Sequence, residues 1–257
     1  MKIALIQAPL VWENPKANRD YFEDKIKSVS GEIDLIVLPE MFTTGFTMNP
    51  SEVWETMDGE TISLLKNLAK AKNLAITGSL IIKENDKFYN RLVFVFPSGE
   101  IKKYDKRHLF SLAGEEKIYT AGKDKLVVEY LSWKICPLIC YDLRFPVFAR
   151  NIEDYDLLIY VANWPKVRIN AWDILLKARA VENMVYTIGV NRIGKDGNDY
   201  PHNGHSQVVD FLGNYSIEPQ KSEGIFVAEL DKNQMLESRK KLGFLNDKDD
   251  FELLKSF

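Results

Sequence analysis

Three residues in this sequence join a reactive side chain to a place where a buried strand gives way to a loop: Glu40, Lys106 and Cys140. Glu40 follows Leu35-Ile36-Val37-Leu38-Pro39 and opens the loop Met41-Phe42-Thr43-Thr44-Gly45-Phe46. A carboxylate enclosed by Leu, Pro, Met and Phe is desolvated, which raises its pKa and suits it to accept a proton near neutrality. An acid ion-paired at the start of a loop is the other reading of the same residues. Cys140 ends the apolar run Ile135-Cys136-Pro137-Leu138-Ile139, and Tyr141-Asp142-Leu143-Arg144-Phe145-Pro146 reads as the start of a helical segment. Strand, sharp turn and helix make a nucleophile elbow, and a helix N-terminus would bias the thiol toward thiolate. Cys136, inside the strand, reads as a buried and inert sulfhydryl, which for a lone thiol is the commoner fate. Lys106 lies in Tyr104-Asp105-Lys106-Arg107-His108-Leu109-Phe110. There it is either a solvated cation or an ammonium facing a pocket, where it would stabilise an oxyanion. Nucleophile, base and oxyanion stabiliser are the three parts that acyl transfer by a thiol requires.

Competing chemistries have less behind them. The histidines are His108, His202 and His205, and none stands in a Cys–His context. His202-Asn203-Gly204-His205 has the look of a metal pair, but it is a loop with no nearby cysteine. There is no glycine pattern to cradle a phosphate. Neither a metal nor an organic cofactor is expected. With 34 basic and 37 acidic side chains the formal charge is −3, and no basic cluster marks nucleic acid as a partner. Hydrophobic residues make up 46% of the 257, enough for a large core and too many for a disordered chain. The two cysteines support no disulfide framework and read as reduced thiols. The segment 1–7 lacks a signal-peptide apolar run, and no window reaches the roughly 18 apolar residues of a membrane span. A cytoplasmic location is expected.

The elements that must hold the three residues alternate along the chain. Strands are expected at 2–7, 34–38, 74–80, 89–96, 101–104, 126–130, 134–139 and 156–161, then near 186–191, 205–210, 215–218 and 225–229. Helices are expected at 15–28, 59–72 and 169–185, with a short one after Cys140 and another from Asp231. Pro97-Ser98-Gly99-Glu100 supplies a tight hairpin turn. A weak internal echo pairs the segment 33–40 with 155–163: each is an apolar strand that ends in a polar residue, Glu40 or Asn163. Two similar halves suggest two sheets face to face with helices outside, and ligands collect at the carboxyl ends of such strands.

At these motifs the chain resembles the nitrilase, or carbon–nitrogen hydrolase, superfamily over nearly its whole length. The resemblance rests on Leu38-Pro39-Glu40-Met41-Phe42, on 104–110, on Cys140-Tyr141-Asp142-Leu143-Arg144-Phe145-Pro146, on Tyr160-Val161-Ala162-Asn163-Trp164-Pro165 and on Ala178-Arg179-Ala180-Val181-Glu182-Asn183. It implies one α/β domain over 1–257, a four-layer α-β-β-α sandwich of two mixed sheets, working as a homodimer. It implies a Glu40–Lys106–Cys140 triad, with the oxyanion also held by the backbone N–H of Tyr141. Many members have a second active-site glutamate seven residues before a glycine. Glu115 stands seven before Gly122, although Glu116 competes for the role. Within the superfamily the motifs look most like the bacterial omega-amidase branch, whose substrates are terminal amides of α-keto acids such as 2-oxoglutaramate. A substrate of that kind carries a distal carboxylate, for which Arg144 is the nearest cation in sequence, unless Asp142 or an acid of the following helix pairs with it. Phe46 and Trp164 would wall the pocket or serve as core aromatics. Another amidase, an N-carbamoyl-amine hydrolase and a non-catalytic binding subunit are the alternatives.

Overall fold

The computed structural model describes residues 1–253; the last four residues of the expected domain 1–257 lie outside them. Strands run in chain order as β1 (Lys2–Gln7), β2 (Leu35–Val37), β3 (Ala75–Glu84), β4 (Lys87–Val95), β5 (Ile101–Asp105), β6 (Val128–Tyr130), β7 (Trp133–Ile139), β8 (Leu157–Ala162), β9 (Tyr186–Asn191), β10 (Ile193–Lys195), β11 (Pro201–Asn203), β12 (Ser206–Val209), β13 (Tyr215–Gln220) and β14 (Gly224–Glu229). The helices are α1 (Pro15–Ser28), α2 (Glu60–Lys72), α3 (Glu115–Ile118), α4 (Pro146–Ala149), α5 (Ile169–Asn183) and α6 (Lys232–Leu242).

The strands form two six-stranded sheets, ordered β14-β1-β2-β3-β4-β5 and β13-β12-β9-β8-β7-β6. Both are mixed. β2 lies parallel between β1 and β3, and β8 lies parallel between β7 and β9, with antiparallel strands outside them. Side-chain alternation then sorts the core. Ile3, Leu5, Leu35 and Val37 join a cluster shared with the second sheet, while Ala4, Ile6, Ile36 and Leu38 pack with Phe22, Ile26, Leu65 and Leu68 of α1 and α2. On the far side α5 packs Trp172 and Leu176 so closely on β9 that a Cβ on Gly189 would collide with both. The layers are therefore α-β-β-α, as expected.

The structure departs from the sequence expectation at several places. The β3–β4 hairpin reaches to Glu84 and Lys87 because Asn85 and Asp86 both take positive φ (50° and 59°), the conformation a two-residue type I′ turn requires. The polar run Lys83–Lys87 reads as loop, yet it continues the ladder. β10 and β11 form a short ribbon that the sequence pattern does not announce, and the loop between them rims a cavity at the strand ends. After Cys140 comes a five-residue 3-10 turn, Cys140–Arg144, and then the four-residue α4, in place of one helix.

Candidate active site

The two strands of the internal echo sit at the middle of their respective sheets, and their polar ends meet. The backbone N–H of Asn163 donates to Glu40 Oε2 at 2.8 Å, and Asn163 Nδ2 donates to the Glu40 carbonyl at 2.5 Å. Glu40 is fully buried, and its Oε1 accepts from Lys106 Nζ at 2.9 Å and from Asn90 Nδ2 at 2.8 Å. Glu40 is thus both buried and ion-paired.

Lys106 continues β5, its N–H donating to the Asn90 carbonyl at 3.0 Å. Its ammonium, 1% exposed, also donates to Glu115 Oε1 and Oε2 at 3.1 and 2.9 Å. Burial alone would push this lysine down, but Glu115 and Glu40 outweigh it and raise its pKa, so it stays charged. One N–H serves Glu40 and one is shared by the Glu115 oxygens, which leaves the third of its three donors for the cavity. There the ammonium stands 5.0 Å from the Phe46 ring centroid.

The two acidic candidates lie in different surroundings. Glu115 is buried on Lys106 and also accepts from the Phe110 N–H at 2.6 Å, whereas Glu116 is exposed. Burial, with Glu40 beside it, raises the Glu115 pKa above the usual carboxylate range, against the pull of Lys106. Gly122 donates its N–H to the Lys106 carbonyl at 2.9 Å, and a Cβ there would overlap the Asp105 backbone. A side chain at 122 would therefore push the segment carrying Glu115 away from the one carrying Lys106.

Cys140 stands at the end of β7 with φ +42°, a conformation that costs a non-glycine residue of order 1–3 kcal/mol. That is the strain of an elbow. Cys140 is half-buried, while Cys136 is fully enclosed and its thiol is pushed up by burial. The expected bias of Cys140 toward thiolate is not found. Enclosure first, then the Glu40 charge and a hydrogen bond to it, push this thiol well above its ordinary range, with Lys106 and an Asn163 hydrogen bond opposing. A single 3-10 turn has too few aligned peptides to override a carboxylate in contact. The proton sits on sulfur, with its acceptor beside it.

Asp142 is not the partner of Arg144. It is fully buried and accepts from Tyr104 Oη at 2.7 Å, from the N–H groups of His108 and Ile139 at 3.1 and 3.0 Å, and lies 2.8 Å from His108 Nδ1. These bonds tie the segment flanking Lys106 to the elbow carrying Cys140. Arg144 instead lies over the Trp164 ring at 5.1 Å.

Glu40, Lys106 and Cys140 share one cavity of about 680 Å³, which is also lined by Phe46, Tyr141, Arg144 and Trp164. Arg168, over the Phe110 ring at 5.2 Å, Trp12, and His202 with its neighbours on the β10–β11 ribbon also line the cavity, and the sequence assigns none of them to a substrate site. Burial and the Arg192 cation push His202 down to about 4, so it is neutral near pH 7. His205, in the loop beyond the ribbon, pairs with Asp173, 2.9 Å away, so the two histidines serve different partners. Among the described residues no group of three His, Cys, Asp or Glu side chains converges as a metal site would require. Asn90 and Asn163 also went unassigned. The signal for Asn90 was a lone amide within an apolar strand, and for Asn163 its place at the end of the echo.

A family model described as carbon-nitrogen hydrolase matches residues 2–240. Omega-amidase YafV of Yersinia enterocolitica is 43% identical over 99% of this chain and 99% of its own length. The 2-oxoglutaramate amidase of Bacillus subtilis is 33% identical over 95% and 96%. Among solved structures, XC1258 from Xanthomonas campestris, a CN-hydrolase superfamily protein, superposes with a TM-score of 0.96 at 40% identity, covering 98% of each chain. The amidase of a Nesterenkonia species, 24% identical with a TM-score of 0.82, shares the fold. A buried acid, ammonium and thiol meeting at the strand ends of a four-layer sandwich accord with these matches, and the chain belongs to the carbon–nitrogen hydrolase family.

Proposed function

We propose that the protein hydrolyses the terminal amide of α-keto dicarboxylic acid monoamides such as 2-oxoglutaramate, releasing ammonia through a thioester on Cys140. The observation that carries this reading is the buried contact of Glu40 with Lys106 in one cavity with the Cys140 thiol. The relatives named as omega-amidase and 2-oxoglutaramate amidase support the substrate class. Cys140 Sγ attacks the amide carbon while Glu40 takes the thiol proton. The free N–H of Lys106 and the backbone N–H of Tyr141 hold the tetrahedral oxyanion. Glu40 gives its proton to the leaving nitrogen, and ammonia departs. A water molecule, losing a proton to Glu40, then attacks the thioester; the acid leaves and the thiol recovers its proton. Each cycle consumes one amide and one water and yields one acid and one ammonia. No step asks for a metal or an organic cofactor.

Arg144 and Arg168 supply the distal recognition. Neither has a carboxylate partner among the described residues, and each lies against an aromatic ring on the cavity wall. A hydrogen bond to a charged group contributes about 1.5–3 kcal/mol, and the distal carboxylate is bound alike in ground and transition states. Arg144→Ala and Arg168→Ala should each raise KM for 2-oxoglutaramate about 10- to 100-fold at nearly constant kcat. Amides with an uncharged far end should be unaffected. An ammonia assay across amides, nitriles and carbamoyl compounds tests the reaction class, and preferential CO2 release from carbamoyl substrates would overturn it.

The 1–257 chain reads as one hydrolase domain, since both sheets contribute to one site. It is read further as a homodimer. Ile174 and Val181, seven apart on the outward face of α5, are 57% and 50% exposed, and Leu212, next in sequence to the Gly213 that faces Val181, is 52% exposed. Sedimentation should show a dimer, and Ile174→Glu with Val181→Glu should shift it to monomer. Among the described residues no helix is long and apolar enough to cross a membrane. A cytoplasmic location is in keeping with that.

A further inference from the structure

Behind the reacting groups lies a hydrogen-bonded chain that the steps above do not use. The Met41 N–H donates to Ser79 Oγ at 2.8 Å, and Ser79 Oγ donates to Asn90 Oδ1 at 2.9 Å. Asn90 Nδ2 in turn donates to Glu40 Oε1 at 2.8 Å and reaches Glu115 Oε1 at 3.3 Å. Ser79 and Asn90 are, respectively, fully buried and 1% exposed. The direction of the chain is fixed by its ends. A backbone N–H can only donate, so the serine hydroxyl accepts it and passes its own hydrogen on. Two carboxylates face the other end of the amide, so that end must be the NH2 group.

We propose that Asn90, locked in orientation by Ser79, is a positioning residue that holds the Glu40 and Glu115 carboxylates side by side as anions and so sets the pH at which the site becomes competent. This rests on reading Glu40, Lys106 and Cys140 as the reacting groups. Two carboxylates in one buried space repel, and each disfavours the other's ionised form. Lys106 offers one compensating charge to the two of them, and Asn90 is the second group that donates to both. The other titratable groups facing the pair are the Cys140 thiol from the elbow and the Tyr119 hydroxyl beyond α3, with Glu13 farther out on the β1 side. None of these donates a hydrogen bond to both acids. Without the amide, protonation of the pair becomes easier, and the base is lost at a higher pH.

The test is the pH profile of kcat/KM for ammonia release, paired with the pH profile of Cys140 alkylation by iodoacetamide, which needs no substrate. Asn90→Ala should move the acid limb of both curves upward by about one pH unit. The loss should be about tenfold on the acid side and shrink toward alkaline pH. Ser79→Ala, which touches neither carboxylate, should move both limbs the same way by about half as much, because an unlocked amide can turn its oxygen toward the acids. A loss equal at every pH, or a Ser79→Ala profile that coincides with the parent's, would overturn the proposal. If Asn90→Ala does not fold, the Ser79→Ala profile decides alone. Activity surviving in Cys140→Ala would instead remove the underlying reading. Dependence on Cys140 with unmoved limbs would remove only the role of Asn90.

Discussion

Cys140→Ala should lower ammonia release from 2-oxoglutaramate by about 10⁴-fold or more while leaving the protein folded. The nucleophile is the one part of the site with no substitute. Cys136, the only other thiol, is fully enclosed within β7 and its proton is held by burial. Stability should hardly change, because the substitution removes one sulfur atom at the edge of a cavity and keeps the elbow's backbone geometry. The elbow also yields a sharper test. At φ +42° any side chain is strained, and glycine is not. Cys140→Gly should therefore be as inactive as Cys140→Ala yet more stable by about 1 kcal/mol, read from denaturant midpoints. Iodoacetamide should label Cys140 in preference to Cys136, and Cys136→Ala should remain active. Turnover by Cys140→Ala near the parent rate would sink the acyl-enzyme mechanism. A glycine variant less stable than the alanine one would sink the account of a strained elbow.

How much of this site the sequence reveals depends on the range of the interactions concerned. Glu40, Lys106 and Cys140 are legible because each follows a run of strand residues, and strand ends are set by local pattern. Glu40 and Asn163 even mark the two ends of the internal echo, 123 residues apart, and then bond one another. What stays hidden are the consequences of packing the two halves. A helix start after Cys140 suggests an activated thiol, but the turn is short, and enclosure together with a carboxylate from the other sheet keeps the proton on sulfur. Asp142 was a plausible mate for Arg144 at close spacing, yet the fold hands it to His108 and Tyr104 from across the sandwich and leaves Arg144 facing the cavity. Arg168 and the β10–β11 ribbon reach the site only through loop placement, which no periodicity encodes. Glu115, favoured by its spacing to Gly122, is the one of the two acids that is buried on Lys106, while Glu116 is exposed.

Lys106→Met should cost both turnover and stability, and the two losses can be separated. Removing one oxyanion donor typically costs about 3 kcal/mol of transition-state stabilisation, roughly a hundredfold in rate. Removing one partner of a buried ion pair costs about 3–5 kcal/mol of stability, because the charges left behind have no solvent. Here two acids are left, Glu40 and Glu115, both fully buried. Glu115 already lies above the usual carboxylate range through burial and the Glu40 charge, and losing Lys106 raises it further. The sign of the pH dependence follows. Where the folded acid holds a proton that the unfolded chain has released, rising pH favours unfolding. The deficit of Lys106→Met should accordingly be smallest near pH 4, where ordinary glutamates take up protons, and grow as pH rises until the folded acid itself ionises. Adding Glu115→Gln to Lys106→Met removes one of the two stranded charges and should recover much of the stability at pH 7. It should recover none of the rate, since the oxyanion still lacks its donor. Lys106→Arg keeps the charge but replaces a compact ammonium by a planar fork that does not match the lysine's contacts with Glu40 and Glu115, so it should restore neither in full. If the double variant regained turnover along with stability, the lysine's part would be structural and the oxyanion assignment would fall. If its melting curve stayed as low as that of Lys106→Met, the ion-pair account of the buried cluster would fall instead.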